Sequence, residues 1–250
     1  MVRKEPKRKK LDTPLYVHDK PKSIVSEKFR GIRSNIMFSS ANGEIKSVII
    51  TSEKPAAGKS IISANIAVTY AQAGYKTLIV DGDMRKPTQH YNFETSNYDG
   101  LSNLIIGKSD FDKAIRSTRV ENLDLLTSGP IPPNPSELIA SDRFKKLYSQ
   151  LIEMYDFILI DTPPVISVTD AQVFLQLVPE CVLVVDAERN NKNEVKKAKD
   201  LILKADGHIL GAVLNKTPQD KSSNYYYYYG DETNNDWYSQ SRFNKCWWWA

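Results

Sequence analysis

The stretch from Ser47 to Ile62, which reads SVIITSEKPAAGKSII, decides the fold. Its first five residues, Ser47 to Thr51, form a largely apolar and β-branched run, the pattern of a strand covered on both faces. The glycine-containing loop that follows leads into a segment in which Ile62, Ile66 and Tyr70 recur at helical spacing. A strand, a loop and a helix in this order predict a phosphate-binding loop.

The loop carries the residue types that a nucleotide phosphate requires. Gly58 lets backbone amides approach phosphate oxygens, the ammonium of Lys59 can reach the β and γ phosphates, and the hydroxyl of Ser60 suits Mg²⁺. Glu53 replaces the usual first glycine, but Lys54 matches the additional lysine of a deviant Walker A loop. We therefore expect ATP to be bound by Lys54, Pro55, Ala56, Ala57, Gly58, Lys59, Ser60 and Ile61.

Three aspartates lie at the ends of two further predicted strands. Asp81 and Asp83 follow an apolar run that begins at Thr77, and Asp161 closes another in the form of a Walker B motif. A single aspartate in such a place is often a helix cap, but three beside a phosphate loop favour a catalytic site. We predict that the catalytic residues are Lys59, Asp81, Asp83 and Asp161, and that Mg²⁺ is bound by Ser60, Asp83 and Asp161. The pattern does not choose the base between Asp81 and Asp83.

Asn215 ends a later apolar run, Ala212 to Leu214. Its amide offers both a donor and an acceptor, which suits the edge of an adenine ring. A turn-forming asparagine explains the same residue nearly as well.

Six short runs rich in β-branched residues predict a doubly wound, mainly parallel α/β sheet of the P-loop NTPase class. Ligands of such sheets bind beyond the carboxyl ends of the strands, where all of these motifs lie. The predicted strands are Ser47–Thr51, Thr77–Asp81, Leu123–Thr127, Phe157–Asp161, Val182–Asp186 and Ile209–Asn215, after a helix at Ser23–Ser39. We expect a basic arm over 1–22, a P-loop domain over 23–220 and a flexible tail over 221–250.

Composition and charge point to a cytoplasmic protein. No run approaches the roughly 18 apolar residues of a membrane span, the start of the chain does not resemble a signal peptide, and Cys181 is expected to be buried and reduced. The net charge is +4, with six basic residues within the first ten, which indicate either a solvated arm or attachment to an anionic membrane surface. A nucleic-acid partner is not expected, because no basic helix or aromatic platform accompanies these charges.

Together these residues resemble the bacterial tyrosine kinases, or BY-kinases, and within them the small cytoplasmic capsule-synthesis members of CapB type. The resemblance covers about Lys22 to Glu232, with Ser52–Ser60 as Walker A, Ile79–Pro87 as Walker A′ and Ile158–Pro164 as Walker B. Glu27, Arg30 and Arg33 match the family's E-x-x-R-x-x-R oligomerisation motif. A cluster of five tyrosines completes the match: Tyr225, Tyr226, Tyr227, Tyr228 and Tyr229.

The resemblance implies an ATP- and Mg²⁺-dependent protein tyrosine kinase that phosphorylates these five tyrosines between subunits of a ring-like homo-oligomer. It also implies a transmembrane modulator that recruits the kinase to the inner face of the membrane, protein substrates in sugar-nucleotide metabolism and control of capsular polysaccharide synthesis. Two features depart from the family: Ala56 stands where related loops commonly carry glycine, and the chain continues to Trp247–Trp249.

A second function shares most of these motifs. The P-loop and the Walker B aspartate are also found in ParA- and MinD-like ATPase switches that have no tyrosine kinase activity. The tyrosine cluster favours the kinase, since tyrosines in a polar terminal segment bury little and offer hydroxyls to a neighbouring site. On the switch hypothesis, the same tyrosines would belong to an adhesive, unstructured tail.

Overall fold

The sheet of this protein has eight strands in the order β3-β4-β2-β5-β1-β6-β7-β8. The structure, a computed structural model, describes residues 14–39, 45–189 and 191–217 and the backbone of 247–249. The strands are β1 Ser47–Ser52, β2 Thr77–Asp81, β3 Ile115–Ser117, β4 Leu123–Leu126, β5 Phe157–Asp161, β6 Glu180–Asp186, β7 His208–Asn215 and β8 Trp247–Trp249.

The six strands from β4 to β7 are parallel, which confirms the predicted doubly wound sheet and all six predicted strands. Their register brings the ends of neighbouring strands together. Asp81 at the end of β2 lies opposite Asp161 at the end of β5, and Asp186 at the end of β6 lies opposite Asn215 at the end of β7. The residues of the predicted site therefore share one edge of the sheet.

Helices cover both faces of the sheet. Their bounds are α1 Tyr16–Asp19, α2 Ile24–Phe38, α3 Lys59–Gln72, α4 Gln89–Asn92, α5 Leu101–Ile106, α6 Phe111–Ala114, α7 Pro135–Ala140, α8 Asp142–Met154, α9 Asp170–Leu175 and α10 Lys192–Lys204. In the part of the chain that the structure describes, no helix has the length and apolarity that crossing a membrane requires.

Helix α3 forms the centre of one core. Ile62, Ile66 and Tyr70 are buried as their spacing predicts, and the Tyr70 ring stacks on Phe157 of β5 with 3.6 Å between ring centroids. A second core on the opposite face includes Phe144 of α8 and Phe174 of α9, whose rings meet edge to face. Burial on both faces explains why the central strands are continuously apolar.

The N-terminal boundary differs from the prediction. Residues Leu15, Tyr16 and Val17 are buried although the sequence analysis assigns them to a basic arm. The Val17 N–H donates to Asn65 Oδ1 at 2.9 Å, and Asn65 Nδ2 donates to the Pro14 carbonyl at 2.8 Å. The folded domain therefore already includes Pro14, and the basic residues before it lie outside the described residues.

Both edge strands are antiparallel additions to the parallel sheet. Strand β3, which has only three residues and pairs with β4, was not predicted. Trp247–Trp249, predicted to lie in a flexible tail, instead form β8 against Ala212–Leu214 of β7. An edge strand leaves one row of backbone N–H and C=O groups open, and a tryptophan-rich segment suits such pairing. Residues 218–246, which include the five clustered tyrosines, lie outside the described residues.

Candidate active site

The phosphate loop lies between β1 and α3 as predicted. Gly58 precedes α3 with φ of 96°, and Ala56 also has a positive φ, of 61°. Glycine adopts this region freely, whereas a side chain such as that of alanine is strained there. A Cβ atom on Gly58 would lie 2.2 Å from Asn215 Nδ2, so close packing as well as backbone angle requires glycine at this position.

Lys59 is buried between two of the predicted aspartates. Its Nζ lies 3.1 Å from Asp83 Oδ2 and 3.6 Å from Asp161 Oδ1. Burial disfavours the ammonium, but the carboxylates of Asp161 and Asp83 outweigh it, and the pKa of Lys59 is raised. The lysine is therefore charged at neutral pH, as electrostatic binding of phosphates requires.

Asp81 is held differently from Asp83. Its Oδ2 accepts hydrogen bonds of 2.9 Å from the backbone N–H groups of Thr88 and Gln89. Its Oδ1 is buried and has no hydrogen-bond partner among the described residues. Burial and the charge of Asp161 raise the pKa of Asp81 to about 8. At neutral pH such a carboxyl is mostly protonated, and its ionised form is a stronger base than an ordinary aspartate.

Gln89 belongs to the site, although the sequence analysis missed it. Its Nε2 donates to Asp161 Oδ2 at 2.8 Å and to the carbonyl of Ser60 at 2.9 Å, and the residue is fully buried. The glutamine thus links the Walker B aspartate to the start of α3. Nothing local in the sequence signals this, since its partners lie 29 and 72 residues away.

An ion pair between Arg85 and Asp170 joins the loop after β2 to the start of α9. Arg85 Nε and Nη2 donate to the two carboxylate oxygens of Asp170 at 2.8 and 2.9 Å. The Asp170 side chain is fully buried, and Ser136 Oγ donates to it at 2.5 Å. Because Arg85 follows β2 and Asp170 begins α9, this pair fixes the Walker A′ loop against the segment after β5.

The oxygen atoms near Lys59 fit a hard cation such as Mg²⁺. Within the described ranges, no three side chains of His, Cys, Asp or Glu converge on one metal position. Mg²⁺ commonly uses one or two carboxylates and completes its coordination with waters and substrate phosphates. The hydroxyl of Ser60, 3.3 Å from Lys59 Nζ, and the adjacent carboxylates of Asp83 and Asp161 are suitable ligands.

Two residues predicted to bind the nucleotide have protein partners. The ammonium of Lys54 donates to the carbonyl of Arg189 and lies 3.8 Å from Glu53 Oε1. Asn215 Nδ2 donates to the carbonyl of Ala57 at 2.8 Å, and its Oδ1 accepts from the Lys216 N–H at 2.9 Å. The Asn215 amide therefore contacts the phosphate loop itself.

The predicted oligomerisation residues divide into two kinds. On α2, Glu27 and Arg30 form an exposed ion pair of 2.5 Å. Arg33 instead points toward α3, where its Nη1 donates to the carbonyl of Thr69 at 2.6 Å. In this structure Arg33 joins two helices of the same chain.

Comparison with known proteins places this site in a family. Residues 45–190 match the family described as AAA domain. The chain is 69% identical to CapB of Staphylococcus aureus, assigned as a tyrosine-protein kinase, over 88% of this chain and 96% of CapB. It is 42% identical to the tyrosine-protein kinase YwqD of Bacillus subtilis, over 82% of this chain and 86% of YwqD.

Solved structures agree with these relatives. The chimerical protein CapA2B2 superposes with a TM-score of 0.81 at 58% identity, over 84% of this chain and 92% of the chimera. The septum site-determining protein MinD of Pyrococcus horikoshii, solved with Mg-ADP, superposes with a TM-score of 0.59 at 27% identity, over 70% and 72% of the two chains. Its likeness supports nucleotide binding by the shared fold, and the kinase relatives are the more similar. The chain belongs to the bacterial tyrosine kinase family, whose phosphate loop, Walker A′ and Walker B motifs meet at this edge of the sheet.

Proposed function

We propose that this kinase uses ATP and Mg²⁺ to phosphorylate tyrosines 225–229 of its own chain and thereby regulates capsular polysaccharide synthesis. The observation that carries this proposal is Lys59, a charged lysine buried between Asp83 and Asp161 at the start of α3. A cation in that position neutralises phosphate charge where water is largely excluded, which is the main requirement of phosphoryl transfer.

The proposed roles of the site residues follow from their positions. Lys59 and the backbone of the loop from Lys54 to Ile61 bind the phosphates, while Ser60, Asp83 and Asp161 hold Mg²⁺, whose chemistry is to neutralise charge on the phosphates. Asp81 is the better candidate for the base, because Asp83 is paired with Lys59 whereas one oxygen of Asp81 has no partner among the described residues. The acceptor hydroxyl would then lie on the Asp81 side of the phosphates.

The distance between the described domain and the tyrosines permits transfer to this segment. Thr217 is the last described residue before the tyrosine cluster, and Tyr225 follows it by eight residues. An extended chain spans about 3.3 Å per residue, so Tyr225 can reach about 26 Å from Thr217. That reach allows transfer to a neighbouring subunit as well as to the same chain.

We also propose a transmembrane modulator and a ring-like homo-oligomer, with recruitment to the inner face of the membrane. The name of the CapA2B2 chimera, which couples a CapA element to a CapB element, supports a partner of the CapA kind. The exposed Glu27–Arg30 pair on α2 supports an intersubunit role for these two residues. Proteins of sugar-nucleotide metabolism are further proposed substrates.

Mass spectrometry after incubation with ATP, Mg²⁺ and an activator peptide tests the acceptor assignment. We expect phosphate on residues 225–229 and loss of most of the signal when all five are changed to Phe, while ATP binding is retained. Normal labelling of the five-Phe variant would contradict the assignment.

A mixing experiment separates transfer between subunits from transfer within one chain. The Lys59→Met variant keeps the tyrosines but lacks the proposed phosphate-binding lysine, whereas the five-Phe variant keeps the lysine but lacks the acceptors. Phosphotyrosine on the Lys59→Met chain after mixing is the expected result. Its absence, with the wild type labelled normally, would indicate transfer within one chain.

The ATPase switch is a second candidate function, favoured by the likeness to MinD. It predicts ATP hydrolysis without phosphotyrosine under any activating condition. The same mass spectrometry therefore decides between the two functions.

A further inference from the structure

Two consecutive residues at the end of β7 bind two consecutive carbonyls of the phosphate loop. Asn215 Nδ2 donates to the Ala57 carbonyl at 2.8 Å, and Lys216 Nζ donates to the Ala56 carbonyl at 2.7 Å. The partners are 158 and 160 residues apart in sequence. The end of β7 and the phosphate loop are therefore connected directly, side chain to backbone.

The direction of these bonds sets the direction of the loop amides. In a planar trans peptide the C=O and the next N–H point in opposite directions. Since the carbonyls of Ala56 and Ala57 point toward Lys216 and Asn215, the N–H groups of Ala57 and Gly58 point away from them. Neither N–H has a hydrogen-bond partner among the described residues. Successive N–H groups around left-handed residues form an anion-binding concavity, and Ala56 and Gly58 have φ of 61° and 96°.

Both side chains are held in place by further contacts. Asp186 Oδ2 accepts from Lys216 Nζ at 2.8 Å, and Asp186 Oδ1 accepts from the N–H groups of Glu188 and Arg189. Asn215 Oδ1 accepts from the Lys216 N–H at 2.9 Å. A Cβ atom on Gly58 would lie 2.2 Å from Asn215 Nδ2, so the asparagine packs directly against the loop.

We infer that Asn215 and Lys216 are positioning residues that orient the amides of Ala57 and Gly58 toward the phosphates, with Asp186 holding Lys216. Asn215 then acts on the backbone of the phosphate loop and not on the edge of the adenine ring, as the sequence suggested. Lys216 and Asp186 gain a function that no motif indicates. The inference rests on the proposed binding of ATP at this loop. It does not depend on which tyrosines accept the phosphate.

Inorganic tripolyphosphate separates this role from adenine reading, because it has the phosphates of ATP and no base. Calorimetry with Mg²⁺ would compare ATP and tripolyphosphate on the wild type, Asn215→Leu, which removes the donor without adding charge, and Lys216→Met. Loss of one orienting hydrogen bond should weaken both ligands by the same factor, about three- to tenfold. Weaker ATP binding with unchanged tripolyphosphate binding would show that Asn215 reads adenine and would overturn the inference, as would unchanged binding of both.

Asp186→Asn distinguishes positioning from simple charge attraction. This variant removes a negative charge near the loop but leaves Lys216 without its carboxylate partner. If Lys216 acts only by its charge, both ligands bind more tightly, and the inference fails for Lys216. If Lys216 must be held against the Ala56 carbonyl, both ligands bind about twofold or more weakly. Lys199→Met, on the exposed side of α10, is the matched control for loss of a distant lysine charge and should change neither affinity.

Folding and the kinase proposal are checked separately. Thermal unfolding of each variant verifies that affinity falls without a matching loss of structure, and Asp186→Asn serves if Asn215→Leu fails to fold. A wild type that binds both ligands but forms no phosphotyrosine would contradict the proposed kinase activity. The positioning role would still be decided by the affinities of the variants for ATP and tripolyphosphate. A wild type that binds neither ligand would overturn both.

Discussion

Two groups of charged residues in this protein were both recognisable as motifs, yet they differ greatly in exposure. At the edge of the sheet, the side chains of Lys59, Asp83 and Asp161 are 10%, 6% and 0% exposed. On α2, the side chains of Glu27 and Arg30 are 68% and 30% exposed. Water screens the second pair and not the first, so a substitution should have large effects at the sheet edge and small effects on α2.

The largest effect is expected for Lys59→Met. Methionine keeps the length of the side chain but removes the charge between Asp83 and Asp161, and loss of one preorganised charge at a phosphoryl site costs on the order of 100- to 1,000-fold in rate. Phosphotyrosine immunoblotting should show almost no autophosphorylation, while circular dichroism shows a folded protein. Lys113→Met removes an exposed lysine paired with Asp110 and is the control that should retain full activity. Full activity of Lys59→Met would remove the lysine from the mechanism.

Two arginines give a closer comparison, because each is paired with one carboxylate. Arg85→Met leaves Asp170, whose side chain is fully buried, with only Ser136 as a side-chain donor. We expect a loss of about 1 to 3 kcal/mol in the free energy of unfolding, the usual cost of an unsatisfied buried polar group. Arg30→Met breaks the exposed pair with Glu27 and the exposed hydrogen bond that Arg30 Nη2 donates to the Pro21 carbonyl, and it should cost less than about 1 kcal/mol. Urea denaturation measures both, and equal losses would show that burial does not set the difference.

Sequence patterns predicted the central strands well for the same physical reason that they predicted the buried site. A strand covered on both faces must be continuously apolar, and its carboxyl end is marked by the first polar residue, as at Asp81 and Asp161. At Ala56 the sequence shows only a departure from the glycine that is common in related loops, and the positive φ of this residue is a finding of the structure.

The features that sequence reasoning missed depend on contacts between distant residues. Gln89 and Asp170 are ordinary polar residues until folding brings them to Asp161 and Arg85. The two antiparallel edge strands are three residues long, too short for a recognisable alternation. Burial of Leu15–Val17 likewise depends on Asn65 of α3, and no local pattern reveals it.

The α2 motif should affect assembly more than stability. Replacing Glu27 and Arg30 by Ala should shift the protein toward monomers in light scattering, with a loss of stability of only about 0.2 to 0.5 kcal/mol. Arg33→Ala should instead cost about 1 kcal/mol, because it breaks the hydrogen bond to the Thr69 carbonyl that joins α2 to α3. Unchanged oligomers in the variant with Glu27 and Arg30 both replaced by Ala would count against this face as the interface.

A small effect is expected at Ala56, an exposed residue of the phosphate loop with a strained, positive φ. Its φ of 61° costs an alanine about 1 kcal/mol or more relative to glycine, but glycine also gains about 0.4 to 1 kcal/mol of conformational entropy in the unfolded chain. The two terms oppose each other, so Ala56→Gly should raise the free energy of unfolding by less than about 1 kcal/mol. ATP affinity changes only if nucleotide binding changes this angle, because strain common to the free and bound loop cancels in the affinity. Urea denaturation and calorimetry on the same variant separate the two cases. Tighter ATP binding without added stability would mean that the loop takes up the strained angle only when it binds ATP. Added stability with unchanged affinity would mean that the free loop already has the conformation that binds the phosphates.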